Sequence, residues 1–151
     1  MKFINSIYAI VLARKNSERI VNKNLTLFKN KPLIEWTFDE AKKSGDILIV
    51  SVTSDRYVNK GPGRPFFNLK QRMQILSSIK NIDYVISSDS PNSVKIIKKI
   101  KPNVYFKGPD YLNTKDDFTG AIKKEIDEVK KNKGKIIYGV GQTFSSSTVL
   151  N

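Results

Sequence analysis

The 151-residue chain is 39% hydrophobic with no Gly/Pro-rich or single-letter tract, which fits one globular domain, residues 1–151, burying roughly two-thirds of its unfolded surface. Twenty-seven Lys and Arg against 14 Asp and Glu leave a formal net charge of +13, a field that attracts nucleic acid, anionic lipid or a phosphorylated metabolite without choosing among them. Cysteine and histidine are both absent, which excludes a disulfide framework, a thiolate nucleophile, an ordinary zinc site and the commonest general acid/base.

In chain order, the apolar run "YAIVL" at residues 8–12 reads as a first strand rather than a signal peptide, because arginine follows almost at once and no small-residue cleavage site is present. No apolar stretch approaches the roughly 20 residues of a membrane span, so the expectation is a cytoplasmic protein with no membrane partner. Pro32 opens a helix in "PLIEWTFDEAKK", stopped by Gly45. "DILIVSV", residues 46–52, is apolar on both faces and predicts a central strand covered by helices on each side. Asn68 caps a helix running through Leu76 and Ile79, "YVIS" at 84–87 is a third strand, and Ser93 caps a helix carrying Ile96, Ile97 and Ile100. "NVYFK", residues 103–107, is a fourth strand. Residues 119–131 place Ile122, Ile126 and Val129 on one helical face with Lys and Glu on the other, and "KIIYG" after Gly134 is the fifth strand. Strands alternating with amphipathic helices predict an α/β class: a Rossmann-like three-layer α/β/α fold with a five-stranded, mainly parallel sheet and ligands beyond the carboxyl ends of its strands.

Three loops at those carboxyl ends carry unusual residues. After the first strand, "LARKNSERIVNKNL" supplies Arg14, Arg19 and Lys23 to clamp phosphate oxygens while backbone amides and Asn24 fix their orientation; the bland alternative is a solvated connection. It is not a P-loop, because G-x-x-x-x-G-K-[ST] occurs nowhere. After the second strand, "SDRYVNKGPGRP" combines Gly61 and Gly63 with Pro62 and Pro65, and its two cations, Lys60 and Arg64, exceed what a turn needs. After the last strand, "TFSSSTV" offers Ser145, Ser146, Ser147 and Thr148 at a helix start, where hydroxyls and unpaired amides favour an anion; an ordinary cap needs one serine. Lys107 in "KGPDY", with Asp110 nearby, reads either as a surface ion pair or as a further ligand contact.

From about Asp39 to Asn151, the ordered segments "EAKKSGDILIVSVTSD", "VNKGPGRP", "NIDYV", "IKPNVYFKGPDY", "DDFTGAIKKEIDEVKKNKGKI" and "TFSSSTVL" resemble the cytidylyltransferase-like nucleotidyltransferases, in particular the nucleotidyltransferase domain of heptose-phosphate adenylyltransferases and their kinase-fused relatives. The resemblance implies that Ser145, Ser146 and Ser147 hold a nucleoside triphosphate, and that Lys107, Lys60 and Arg64 contact nucleotide or substrate. Members of that family carry H-x-G-H after the first strand, and this chain has no histidine. The first quarter, "ARKNSERIVNKNL" with "KPLIEWT", resembles instead the N-terminus of CMP-sialic acid and CMP-Kdo synthetases, whose A-R-x-G-S-x-R-x-x-x-K-N loop holds CTP. Arg14, Ser17, Arg19, Lys23 and Asn24 match that pattern and Asn16 replaces its glycine. The seam between the two resemblances falls near residues 39–46.

These features lead to an enzyme that transfers a nucleotidyl group from CTP or ATP to a sugar phosphate or related acceptor, with Mg2+ neutralising the triphosphate and Arg14, Arg19 and Lys23 in the catalytic role of the missing histidines. Protein ligands for a metal are not identified. The alternative is a catalytically inactive nucleotide-binding protein that lacks H-x-G-H. A nucleic-acid module ranks last, since the lysines are spread over several helices and the aromatics fall within apolar patterns rather than along a basic stripe. Both resembled families commonly form homo-oligomers, so a homo-oligomer is an expectation here as well.

Overall fold

The computed structural model describes residues 8–12, 27–58, 62–63, 65–108, 111 and 120–139. Among the described residues seven strands and four α-helices follow one another, besides a short 3-10 turn at Asp55–Tyr57: β1 (Tyr8–Leu12), β2 (Leu27–Phe28), β3 (Lys31–Pro32), α1 (Leu33–Lys42), β4 (Ile47–Thr53), α2 (Leu69–Ser77), β5 (Tyr84–Ser88), α3 (Val94–Ile100), β6 (Val104–Lys107), α4 (Ala121–Lys131) and β7 (Lys135–Tyr138). Among the described residues the main sheet runs in the order β5-β4-β1-β6-β7, with every neighbouring pair parallel. Its chain progresses outward from β1 to β4 and β5, then returns to the other side of β1 for β6 and β7. That reversal makes the crevice between the carboxyl ends of β1 and β6 the topological switch point of a doubly wound sheet. The α/β class with parallel strands therefore stands as expected from the alternating pattern.

Strand periodicity assigns the two faces. Leu48, Val50 and Val52 of β4 join Val104 and Phe106 of β6 against Phe38 and Ala41 of α1 and Leu76 of α2. The intervening positions, Ile49 of β4 and Tyr105 of β6, pack on the other side with Ile96 and Ile97 of α3 and Val129 of α4. A strand apolar at successive positions has no solvent face, and β4 is buried from Leu48 to Val52. Each fully buried Leu, Val or Phe contributes about 1.5–3 kcal/mol relative to exposure, so these two layers dominate the stability of the sheet.

Local signals explain most boundaries. Asn68 closes a capping box at the start of α2: its Oδ1 accepts from the Gln71 N–H at 3.0 Å, and its own N–H donates to Gln71 Oε1 at 3.0 Å. The α2 helix ends at Ser77, short of the expected Ile79, whose N–H donates to the Leu76 carbonyl in a closing turn. The pair β2 and β3 was not expected. They form an antiparallel hairpin across Lys29 and Asn30, both at positive φ (50° and 60°), as a tight two-residue hairpin loop requires. Pro32 accordingly ends β3 and the helix begins one residue later.

Two expectations are corrected. Ser93 stands at the N-cap position of α3, but its side chain makes no cap hydrogen bond; separately, its backbone N–H donates to the Glu125 carboxylate of α4. Glu125 is not on the solvated face of α4. It lies three residues after Ile122 and four before Val129, hence on the apolar stripe, and it is buried.

Candidate active site

Residues 13–26, 54–68, 108–120 and 140–151 follow the carboxyl ends of β1, β4, β6 and β7, so connectivity alone roots the three cationic or serine-rich loops at one end of the sheet. Arg14, Ser17, Arg19, Lys23, Asn24, Lys60, Arg64, Ser145, Ser146 and Ser147 lie outside the described residues, as do Gly61, Asp110 and Thr148. Of the expected site residues, Lys107 is the one whose surroundings are seen.

Both ends of the second loop are tied down. Ser54 donates its N–H to the Ser88 carbonyl at 2.9 Å, joining the ends of β4 and β5. Its hydroxyl donates to Asp89 Oδ1 at 2.9 Å, and Arg56 binds both oxygens of the same carboxylate, with Nε at 2.7 Å from Oδ1. Asp55, one residue on, accepts the Leu69 N–H at 3.0 Å and a guanidinium hydrogen bond from Arg72. Arg72 donates further to the carbonyls of Thr53 at 2.8 Å and Phe67 at 3.1 Å. One arginine of α2 thus gathers the end of β4, the start of the loop and its last residues. Burial alone would raise the Asp55 carboxyl, but the Leu69 N–H and the Arg72 hydrogen bond and charge outweigh it and hold the group below its ordinary range. Within the loop, Gly63 takes φ +71° with open space where a Cβ would stand, so glycine is needed there for backbone conformation rather than for room.

At the end of β6, Lys107 is only 4% exposed, which removes the surface-pair reading. Its Nζ donates to Glu125 Oε2 at 2.7 Å; Glu125, 1% exposed, also accepts from the Tyr105 hydroxyl at 2.9 Å and, through Oε1, from the Ser93 N–H at 2.9 Å. The Lys107 ammonium lies 4.4 Å from the Tyr111 ring centroid and 5.0 Å from that of Tyr105, within cation–π range of both. Desolvation would push the Glu125 carboxyl up; the Lys107 charge and hydrogen bond, the Ser93 N–H and the Tyr105 hydroxyl together keep it below the ordinary carboxylate range.

The buried polar residues of the described chain are Ser51, Ser88, Ser90, Ser93, Lys107 and Glu125. Ser51 and Ser88 share the strand parity of Ile49 and Ile86, Lys107 that of Tyr105, and Ser90 and Ser93 lie in the turn into α3. They all belong to the α3/α4 side of the sheet. Among the described residues the Ser51 hydroxyl has no hydrogen-bond partner.

No group of three or more His, Cys, Asp or Glu among the described residues has the arrangement of a metal site. Asp55, Asp89 and Glu125, the carboxylates at this end of the sheet among the described residues, are each paired with a cationic side chain. No described helix is long and apolar enough to cross a membrane.

Residues 37–148 match the family model described as Cytidylyltransferase-like. The chain belongs to that family. A second model, described as Cytidylyltransferase, matches residues 8–62 of this cytidylyltransferase-like chain, and the two overlap across α1, β4 and the start of the second loop. Among curated proteins, the bifunctional protein HldE of Alcanivorax borkumensis is 35% identical over 105 residues, 68% of this chain and 22% of its own length. That of Helicobacter pylori strain P12 is 42% identical over 76 residues (49% and 16%), and that of Aliarcobacter butzleri 38% identical over 99 residues (64% and 21%). The chain thus spans about a fifth of the length of the curated relatives it matches. The crystal structure of the lipopolysaccharide core biosynthesis protein from Thermoplasma volcanium GSS1 superposes with a TM-score of 0.63, covering 92% of this chain and 100% of that one; at 20% identity it shows the shared fold alone.

Sequence reasoning passed over Asp55, Arg72 and Glu125. For Glu125 the signal was present, a carboxylate inside an i, i+3, i+4, i+7 apolar stripe. For Arg72 and Asp55 it was absent, since their pairing spans 17 residues of loop and helix.

Proposed function

We propose that the protein transfers a nucleotidyl group from CTP or ATP to a sugar phosphate or related acceptor and releases pyrophosphate. The observation that carries this reading is the rooting of three phosphate-type loops at the carboxyl end of one parallel sheet, with the cation of Lys107 at the end of β6 beside the switch point. Membership in the cytidylyltransferase-like family supports it.

In the proposed reaction an oxygen of the acceptor attacks the α-phosphorus of the nucleotide. A new P–O bond forms, the bond from the α-phosphorus to the α,β-bridging oxygen breaks, and its electron pair leaves with pyrophosphate. Negative charge grows on the non-bridging oxygens and the leaving group, so fixed cations and aligned amides lower the barrier without a covalent intermediate. Arg14, Arg19 and Lys23 take the catalytic role after β1; Ser17 and Asn24 orient the nucleotide; Ser145, Ser146 and Ser147 hold the triphosphate; Lys60, Arg64 and Lys107 complete the cationic wall. Mg2+ enters with the triphosphate, whose charge it neutralises. We assign the whole chain to one domain, whose seam near residues 39–46 lies where the two family models overlap.

The test is pyrophosphate release from CTP or ATP with Mg2+ and a panel of sugar phosphates and sugar acids, alongside nucleotide binding by calorimetry. Release with one pair supports the reading, and undiminished turnover in Arg14→Ala/Arg19→Ala sinks the catalytic assignment. The absence of histidine favours a second reading, a nucleotide-binding protein without catalysis. That reading predicts saturable binding and no release.

A further inference from the structure

We propose that Glu125 is a positioning residue of the nucleotide site: from α4 it pins the Lys107 ammonium at the carboxyl end of β6, beside the switch-point crevice. The inference rests on the function proposed above and adds a residue that no loop motif contains.

Three observations carry it. First, Glu125 is held from three directions, by the Ser93 N–H on Oε1 and by the Tyr105 hydroxyl and Lys107 Nζ on Oε2, all at 2.7–2.9 Å. The carboxylate is fixed before it meets the lysine, since one donor comes from the backbone entering α3 and another from the strand of Lys107 itself. Second, the pair is not the sole anchor of α4 on the sheet. Val129 and Ile97, both at 0% exposure, already pack these helices against Tyr105. A buried ion pair costs desolvation that two apolar side chains of like volume avoid, so packing alone would be served as well or better by replacing both. Third, the pair lies at the functional end of the sheet. Phe106 pairs with Val11 of β1, which puts Lys107 one step further, level with Leu12, from which the cationic loop departs.

A lysine on a four-carbon stem has many rotamers, and a ligand that must gather it loses that freedom on binding. Pinning the ammonium beforehand confines it to one place. Its contribution to a bound triphosphate is then pre-organised rather than recruited.

The test combines a ligand-free readout with kinetics. In wild-type protein labelled with 15N-lysine, the Lys107 ammonium gives a slowly exchanging resonance, assigned by its loss in Lys107→Met; in Glu125→Gln that resonance broadens into solvent exchange. The same variant raises the KM for Mg2+–CTP or Mg2+–ATP about tenfold while kcat changes less than threefold. In the Lys107→Met background Glu125→Gln has no further effect on KM, because it acts through the lysine. Should Glu125→Gln not fold, Tyr105→Phe, which removes one hydroxyl from the carboxylate, weakens the resonance and raises KM about threefold. A resonance unchanged in the folded variant, or KM effects that add in full in the double variant, would overturn the proposal. A wild type with the protected resonance that binds neither nucleotide would overturn the function above, and the spectral change in Glu125→Gln would still establish the pinning.

Discussion

Arg72 offers the sharpest test of how the second loop is held. Its side chain is 11% exposed and its guanidinium reaches the carbonyls of Thr53 and Phe67 and the Asp55 carboxylate. Arg72→Met keeps the stem and removes every donor. Each of the two carbonyl hydrogen bonds from a charged donor is worth about 1.5 kcal/mol. The Asp55 pair adds less, on the order of 0.5 kcal/mol, because that carboxylate is 41% exposed and keeps the Leu69 N–H. The sum is about 3.5 kcal/mol, which for a domain of this size lowers Tm by roughly 7–14 °C. Urea unfolding followed by circular dichroism reads this directly, with the midpoint falling and the slope unchanged. Arg72→Lys should recover less than half of the loss, since one ammonium does not span three acceptors held in a fork. A loss below about 1 kcal/mol would refute the reasoning, by showing that water satisfies the stranded carbonyls as well as the arginine does.

Ser51→Ala removes a buried hydroxyl that has no hydrogen-bond partner among the described residues, so stability should hold or rise by up to about 1 kcal/mol in the same urea assay. A loss larger than that would mean the hydroxyl is paired. At Gly134 a Cβ would stand 2.4 Å from the Pro102 carbonyl oxygen and 2.9 Å from Val129 Cγ1, so Gly134→Ala forces the turn into β7 away from the chain before β6. Overpacking of this kind costs about 1–3 kcal/mol, and a thermal melt unchanged from wild type would contradict it. Asp39, Asp55, Asp83 and Glu125 are all held below their ordinary pKa values in the folded protein, where ion pairs and hydrogen bonds outweigh desolvation. The unfolded chain therefore binds more protons as pH falls. The stability these groups contribute is present above their unfolded values, about 4, and is lost as pH drops through the lower folded ones. The urea midpoint should be flat from pH 8 to about 5 and fall below 4, and a midpoint unchanged at pH 3 would count against the pairing.

Much of the fold was legible because its determinants are local. The alternation of strand and helix, the two-sided apolar run of β4 and the Asn68 cap each rest on residues close together in the chain, and each appears in the structure where the pattern puts it. The hairpin of β2 and β3 escaped notice because its strands are two residues each, too short for any period to emerge. Ser93 was assigned a cap on residue type alone; its side chain makes no cap hydrogen bond, and what the position supplies is a backbone N–H to a buried carboxylate 32 residues away.

For the site, the sequence by itself determined which residue types were available: cations after β1 and within the second loop, serines after β7, a lysine at the end of β6, and no histidine anywhere. Only the tertiary structure decided what Lys107 meets. Strand parity turns Lys107 to the α3/α4 side with Tyr105, and the apolar stripe that seats Val129 carries Glu125 inward to the same spot, 18 residues along the chain from its lysine. Helical and strand periods each name a face, but which charge lies opposite which is set by how α4 docks across β6. That docking is a property of the packed layers, and no local window contains it.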